Sequence, residues 1–223
     1  MKKINIVTGH YGSGKTEFAI NYALKLKENF GSSVICDMDI VNPYFRTNDA
    51  VDYLLKNSVN VIAPEYANTN LDLPSLPSDI ISVFSENSPP SVLDVGGDDD
   101  GAIALGQFYP YLSKEDYEMF FVINAMRPDT SCVDDIIKLS KDIEYASRCR
   151  ITSIVNNTNL AYLSSVNDIL DSFKLIDEVA DKMNIPVKYI SGKSDILSQL
   201  PSEYKDKLFP LELFMHLPFD ALA

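Results

Sequence analysis

One short segment constrains this 223-residue chain more than any other feature of its sequence: Gly9-His10-Tyr11-Gly12-Ser13-Gly14-Lys15-Thr16. An apolar run typical of a strand, residues 4–8, precedes it, and residues with the apolar spacing of a helix follow it. Its glycines allow a tight loop whose backbone N–H groups point inward, and a helix that begins near Lys15 directs its positive end at the same point. The segment therefore predicts a strand, an anion-binding loop and a helix, in that order.

The spacing of these residues fits G-x-x-x-x-G-K-[ST], the pattern of a phosphate-binding loop. In such a loop Lys15 reaches the β- and γ-phosphates of a nucleotide, and the Thr16 hydroxyl binds Mg²⁺. Lys15 is also a candidate catalytic residue, because its charge would stabilise the transferring phosphate. The candidate nucleotide-contacting residues of this region are Gly9, His10, Gly12, Ser13, Gly14, Lys15, Thr16 and Glu17.

Short apolar runs alternate with amphipathic stretches along the chain. Seven runs are rich in β-branched residues and apolar on both faces, which is typical of parallel strands covered on two sides. The alternation predicts a three-layer α/β fold of the P-loop NTPase type, with a mostly parallel sheet of about seven strands and helices on both faces, in a single domain spanning residues 1–223. The predicted strands cover residues 4–8, 34–37, 59–63, 92–95, 120–124, 151–155 and 187–190.

Composition excludes several classes of function. The 32 acidic and 19 basic residues give a net charge of −13, so we expect no non-specific nucleic acid binding. No apolar run approaches the roughly 18 residues of a transmembrane helix, so we expect no integral membrane segment. Cys36, Cys132 and Cys149 are too widely spaced for a disulfide framework or a zinc site. They favour a reducing compartment, and we predict a cytoplasmic protein.

Aspartates follow two of the predicted strands. Asp37 and Asp39 come at the end of the second strand, and Asp94 ends the fourth, just before Gly96 and Gly97. Because ligands of doubly wound sheets collect at the carboxyl ends of strands, these carboxylates are placed to serve the metal and the attacking water beside a phosphate loop. The alternative for each is a turn-initiating or capping aspartate.

In four segments the sequence resembles the MinD/ParA/CobQ nucleotide-binding ATPases, which belong to the SIMIBI class of P-loop proteins. The matching segments are 9–16, the Asp-x-Asp at 37–39, the Asp-x-Gly-Gly at 94–97, and 124–128, in the family's order. The resemblance implies ATP and Mg²⁺ as ligands, with Asp39 orienting the attacking water, Asp37 supporting it near the metal, and Asp94 binding the metal through water. It also implies that Asn156 contacts the nucleotide base. The candidate metal ligands are then Thr16, Asp37 and Asp94, and the candidate catalytic residues are Lys15 and Asp39.

The sequence departs from this family at one position. MinD and ParA proteins carry a signature lysine directly after the first glycine of the loop, where it reaches into the neighbouring subunit's site, and here that position is His10. His10 either contacts a phosphate or lies on the loop surface. Arg46 either supplies replacement charge to the γ-phosphate or is a solvated helix residue. The resemblance also implies that the chain forms a nucleotide-dependent homodimer.

Together these residues predict a Mg²⁺-dependent nucleoside triphosphatase that acts as a conformational switch, with residues 40–50 and the Gly96-Gly97 pair moving with the γ-phosphate. ATP is favoured over GTP because residues 192–195 lack the leading asparagine of the guanine-reading N-K-x-D pattern. One alternative is ATP-dependent phosphoryl transfer or ligation on a small molecule, as in cobyrinate amidases and dethiobiotin synthetases, with a substrate pocket built from Tyr44, Arg46 and Glu65. The other is a nucleotide-dependent module with negligible turnover that binds an unknown protein partner.

Two further regions carry weaker patterns. Residues 208–223 are rich in apolar side chains, but no lysine or arginine follows Lys207. Because interfacial membrane helices need a basic polar face, we predict that these residues pack on the domain. Residues 68–88 are interrupted by prolines, and their pattern supports no assignment.

Overall fold

The structure is a computed structural model that describes residues 1–39, 51–63, 78–97, 99–160 and 163–214. Eight strands form one sheet: β1 (Ile4–Gly9), β2 (Ser33–Asp37), β3 (Val59–Ile62), β4 (Ser91–Asp94), β5 (Tyr117–Ile123), β6 (Ser153–Asn156), β7 (Val187–Gly192) and β8 (Leu208–Pro210). Their order across the sheet is β3-β2-β4-β1-β5-β6-β7-β8, and each neighbouring pair runs parallel.

Helices cover both faces of this sheet. On one face α1 (Lys15–Phe30) and α2 (Val51–Lys56) enclose a core that includes Phe18, Tyr22 and Leu54. On the other face α3 (Asp99–Gly106), α5 (Val133–Ser147) and α6 (Val166–Met183) enclose a second core. The predicted three-layer α/β architecture is therefore confirmed. Shorter helices are α4 (Tyr109–Leu112) and α7 (Ser194–Leu197), and 3₁₀ turns cover Ser78–Phe84, Pro128–Thr130 and Ser202–Lys207.

Left-handed residues mark both ends of α1. Gly14 precedes the helix with a φ of 84°, and Gly31 ends it with a φ of 86° while donating its N–H to the carbonyl of Lys27. Glycine adopts this conformation at little cost, which explains the sharp entry and exit of the helix. The entry turn is what places the phosphate loop (residues 9–16) at the amino end of α1.

The register of the sheet brings the predicted site residues to one edge. Strand β4 lies between β1 and β2, and Asp94 pairs in register with Asp37 of β2 and with Val7 of β1. Because all three strands run in the same direction, their carboxyl ends are adjacent. The phosphate loop after β1 and the aspartates after β2 and β4 therefore share this edge.

All seven predicted strands are present, and the structure adds an eighth. Strand β8 contains Pro210, which is tolerated because β8 is an edge strand that pairs with β7 alone. Phe209 of β8 is 2% exposed and joins the α1 core, and Leu211 and Phe214 pack against it. The rest of the segment predicted to pack on the domain, residues 215–223, lies outside the described residues. No helix among the described residues is long and apolar enough to cross a membrane.

Candidate functional site

The turn from the phosphate loop into α1 depends on Gly14. Its φ of 84° lies in the left-handed region that residues with side chains rarely adopt. A methyl group on its Cα would also lie 2.2 Å from Asn157 Nδ2, which donates a hydrogen bond of 2.7 Å to the Ser13 carbonyl. Position 14 therefore requires glycine for its backbone conformation and for the close approach of Asn157.

Lys15 is nearly buried beside the loop. It is 7% exposed, and its Nζ donates a hydrogen bond of 3.1 Å to the carbonyl of His10. An ammonium group with so little solvent needs close acceptors or an anion to offset its desolvation. Lys15 is thus positioned to exchange a carbonyl acceptor for a phosphate oxygen.

The Gly96-Gly97 turn after β4 lies against the phosphate loop. A methyl group on Gly97 would lie 2.6 Å from Lys15 Nζ and 2.7 Å from the backbone nitrogen of Tyr11. A methyl group on Gly96 would lie 3.3 Å from Asp39 Oδ1. The structure therefore brings the loop, Asp39 and the glycine pair into one cluster.

Two buried carboxylates form the floor of this cluster. Asp37 is 0% exposed and Asp94 is 2% exposed, and the Asp39 backbone N–H donates a hydrogen bond of 3.0 Å to Asp37 Oδ1. Burial raises the pKa of Asp94 above its ordinary value, and the nearby charge of Asp37 raises it further. Lys15 and a hydrogen bond with Thr16 act in the opposite direction. The cluster concentrates negative charge that a cation would stabilise.

These residues fit a Mg²⁺ ion. Among the described residues Asp94 Oδ1 has no hydrogen-bond partner although it is buried, which is the condition expected of an unused ligand oxygen. The described part of the chain contains no group of three His, Cys, Asp or Glu side chains arranged to hold a metal by themselves. Mg²⁺ usually takes one or two carboxylates together with phosphate oxygens and water. Thr16, Asp37 and Asp94 would hold it in that manner once a nucleotide is bound.

Asn156 and Asn157 have different partners. The side chain of Asn156, 1% exposed, donates from Nδ2 to Ser172 Oγ and accepts at Oδ1 from the N–H and hydroxyl of Thr158. Asn157 instead contacts the phosphate loop, and Ser191 Oγ donates to its Oδ1 at 2.8 Å. Sequence reasoning missed Asn157. The end of the strand could have identified Asn157, since Asn156 is the last residue of β6 and Asn157 is the first residue of the following loop.

A pocket opens beside the phosphate loop, at the ends of β6 and β7. The described lining combines apolar side chains with two amides, two hydroxyls, a carboxylate and a lysine, a composition that suits a planar ring with hydrogen-bonding groups at its edge. The carboxylate of Glu17 at its rim accepts a hydrogen bond from the backbone N–H of Phe214. The lining residues are Gly14, Glu17, Asn157, Thr158, Asn159, Ser164, Ile169, Gly192, Lys193, Ile196, Leu211 and Leu213.

His10 faces the segment after β5. Its Nδ1 lies 2.9 Å from the carbonyl oxygen of Tyr11, and its Nε2 lies 3.6 Å from Asp129 Oδ2. The ring therefore lies on the outer side of the phosphate loop. The predicted switch segment 40–50, with Tyr44 and Arg46, and the predicted pocket residue Glu65 lie outside the described residues.

No protein-family model and no curated protein matches this sequence. Solved structures do match. The cell division protein FtsY from Thermotoga maritima superposes with a TM-score of 0.55 at 17% identity, over 94% of this chain and 65% of that chain. The likeness shows the fold, a three-layer α/β architecture of the P-loop NTPase type.

Two further structures share this fold. The nucleotide-binding protein from Archaeoglobus fulgidus in complex with ADP matches with a TM-score of 0.54 at 16% identity, over 96% of this chain and 95% of that chain. The signal recognition particle 54 kDa protein from Aeropyrum pernix in complex with GDP matches with a TM-score of 0.53 at 15% identity, over 84% of this chain. This chain spans 60% of the length of an FtsY from Elizabethkingia anophelis and 40% of the Aeropyrum protein.

Proposed function

We propose that this chain is a Mg²⁺-dependent nucleoside triphosphatase that hydrolyses ATP and changes conformation with the state of its γ-phosphate. The observation that carries the proposal is the cluster at the carboxyl edge of the sheet. A buried lysine, a glycine-lined loop at a helix amino terminus and two buried carboxylates meet there. This combination supplies positive charge for phosphates and negative charge for a cation in adjacent positions.

Each residue has a distinct task in this proposal. Lys15 Nζ would leave the His10 carbonyl and bind a phosphate oxygen, and the loop N–H groups would stabilise charge that develops on the transferring phosphate. Asp39 would orient the attacking water, beside Gly96. Bound Mg²⁺, held by Thr16 and by Asp37 and Asp94 directly or through water, would neutralise charge on the phosphate oxygens.

The packing of Gly97 supports a switching role. Lys15 Nζ and the Tyr11 N–H are groups that a terminal phosphate would contact, and Gly97 packs directly against both. A phosphate placed there competes with Gly97 for the same space. The Gly96-Gly97 turn would therefore shift when the γ-phosphate binds and return when it leaves.

The pocket supports adenine rather than guanine. Guanine presents N–H donors that a carboxylate reads well, as in the aspartate of the N-K-x-D pattern. Among the described lining residues the one carboxylate is Glu17, and both of its oxygens lie within hydrogen-bond distance of the Phe214 N–H. Because the Phe214 N–H engages that carboxylate, the lining favours adenine, whose ring edge needs no carboxylate acceptor.

Phosphate release from Mg·ATP and from Mg·GTP tests the proposal. We expect turnover with ATP that the Lys15→Ala variant abolishes. Lys141→Ala is the matched control, because Lys141 is an exposed lysine of α5, and it should keep the wild-type rate. Wild-type turnover that does not exceed that of Lys15→Ala would contradict the proposal, and faster release from GTP would contradict the choice of ATP.

A further inference from the structure

Arg127 contacts the outer side of the phosphate loop. Its Nε donates a hydrogen bond of 3.0 Å to the carbonyl of Gly12. A methyl group on Gly12 would lie 3.5 Å from Nε and 3.6 Å from Cζ, so the guanidinium group lies beside the Gly12 backbone with room for little more than a methyl group between them. The arginine thus holds the loop through its hydrogen bond to the Gly12 carbonyl.

The turn that carries Arg127 is fixed by Asn124, a residue 1% exposed. The Arg127 N–H donates to the Asn124 carbonyl, and the Thr130 hydroxyl donates to the same carbonyl at 2.6 Å. The Asn124 side chain bonds to Asn159 in the loop after β6, donating to its carbonyl at 3.0 Å. Because the turn is tied at several points, the direction of the arginine is set before any ligand arrives.

The charge of Arg127 is not used elsewhere in the described part of the chain. No carboxylate there lies within ion-pair distance of its guanidinium, although Asp129, two residues on, lies beside His10. In a chain with a net charge of −13, an arginine without a carboxylate partner at the loop rim favours an anion. The described hydrogen bond of the side chain uses Nε, so the N–H groups of the terminal nitrogens remain for an anion.

We propose that Arg127 is a positioning residue for phosphate binding. It holds the Gly12 carbonyl outward, which keeps the loop N–H groups directed at the phosphates, and it adds a positive charge at the rim that raises affinity for a nucleoside triphosphate. This inference rests on the proposed nucleotide-binding function and extends it to a residue outside the phosphate-loop motif.

Binding of fluorescent mant-ATP with Mg²⁺ tests the inference. We expect Arg127→Gln to raise Kd about tenfold, the loss typical of a hydrogen bond to a charged group. Arg127→Lys should give an intermediate Kd, because it restores the charge without the planar Nε donor. Arg150→Gln is the matched control, since the described hydrogen bond of Arg150 uses its backbone N–H, and its Kd should equal that of wild type.

Four outcomes would overturn the inference. Wild-type affinity in Arg127→Gln would refute it and leave the proposed function intact. A urea midpoint that falls with the affinity would show that Arg127 acts in folding, and equal Kd values for the Lys and Gln variants would refute the charge effect. Failure of wild type and Lys15→Ala alike to bind mant-ATP would refute both the inference and the proposed function.

Discussion

Replacing Gly14 by alanine should destabilise the protein more than the same change at Gly31. The two glycines flank α1 and have nearly equal φ angles, 84° and 86°. Alanine at either position would incur the cost of the left-handed conformation, about 1–2 kcal/mol. At Gly31 no atom lies within 4 Å of the added methyl group, whereas at Gly14 the methyl group would lie 2.2 Å from Asn157 Nδ2.

The difference between the two variants therefore isolates the contact with Asn157. Overpacking of this kind costs about 1–3 kcal/mol, so the free energy of unfolding should fall by that much more in Gly14→Ala than in Gly31→Ala. Urea unfolding followed by circular dichroism measures both values. Equal destabilisation of the two variants would refute the reasoning.

A double-mutant cycle tests the cause directly. Asn157→Ala removes the atoms that an alanine at position 14 would meet, together with the hydrogen bond to the Ser13 carbonyl. The combination Gly14→Ala with Asn157→Ala should be less destabilised than the sum of its parts, by about 1 kcal/mol or more. Additive effects would show that the alanine at position 14 does not press on Asn157.

Three further changes have defined outcomes. Gly97→Ala should weaken mant-ATP binding several-fold or more, because the added methyl group would lie 2.6 Å from Lys15 Nζ. Unchanged affinity would contradict the close packing of Gly97 against Lys15. Asp94→Asn should raise the free energy of unfolding of the metal-free protein by about 1 kcal/mol, since a neutral amide avoids the cost that burial and Asp37 impose on ionising this carboxyl. Mg²⁺-dependent phosphate release should be lost in the same variant, and a destabilised variant with normal turnover would contradict this. Asn21→Ala should lower the free energy of unfolding, measured by urea titration, by about 1–3 kcal/mol, because the Asn21 side chain makes two hydrogen bonds of 2.8 Å to the backbone of Glu212. A change within experimental error would show that these hydrogen bonds do not contribute to stability.

The parts of the fold that could be predicted are those determined by the local sequence pattern. Strand β1, the phosphate loop and α1 follow one another in sequence, and glycine spacing and apolar periodicity suffice to place them. The convergence of Asp37 and Asp94 also follows, because parallel strands bring their carboxyl ends to one edge.

The parts that could not be predicted depend on tertiary contact. Asn156 and Asn157 are the same residue type in adjacent positions, and which of them reaches the phosphate loop depends on where β6 ends. Strand β8 has only three residues, one of which is a proline, so it is too short to show a periodic apolar pattern in the sequence. Arg127 is 115 positions away in sequence from Gly12, which it contacts, and a local sequence pattern does not extend over such a separation.

The contribution of Leu211 and Leu213 to the pocket lining has a consequence for biosynthesis. The Phe214 N–H bonds to Glu17, 197 positions earlier, and Asn21 bonds to Glu212 across a similar separation. A nascent chain that has not yet reached residue 211 already contains the phosphate loop and the residues of strands β1 to β7, yet its pocket lacks Leu211 and Leu213. The pocket lining is complete only after translation has passed residue 214. A truncated chain that ends earlier therefore has the phosphate loop beside an incompletely lined pocket.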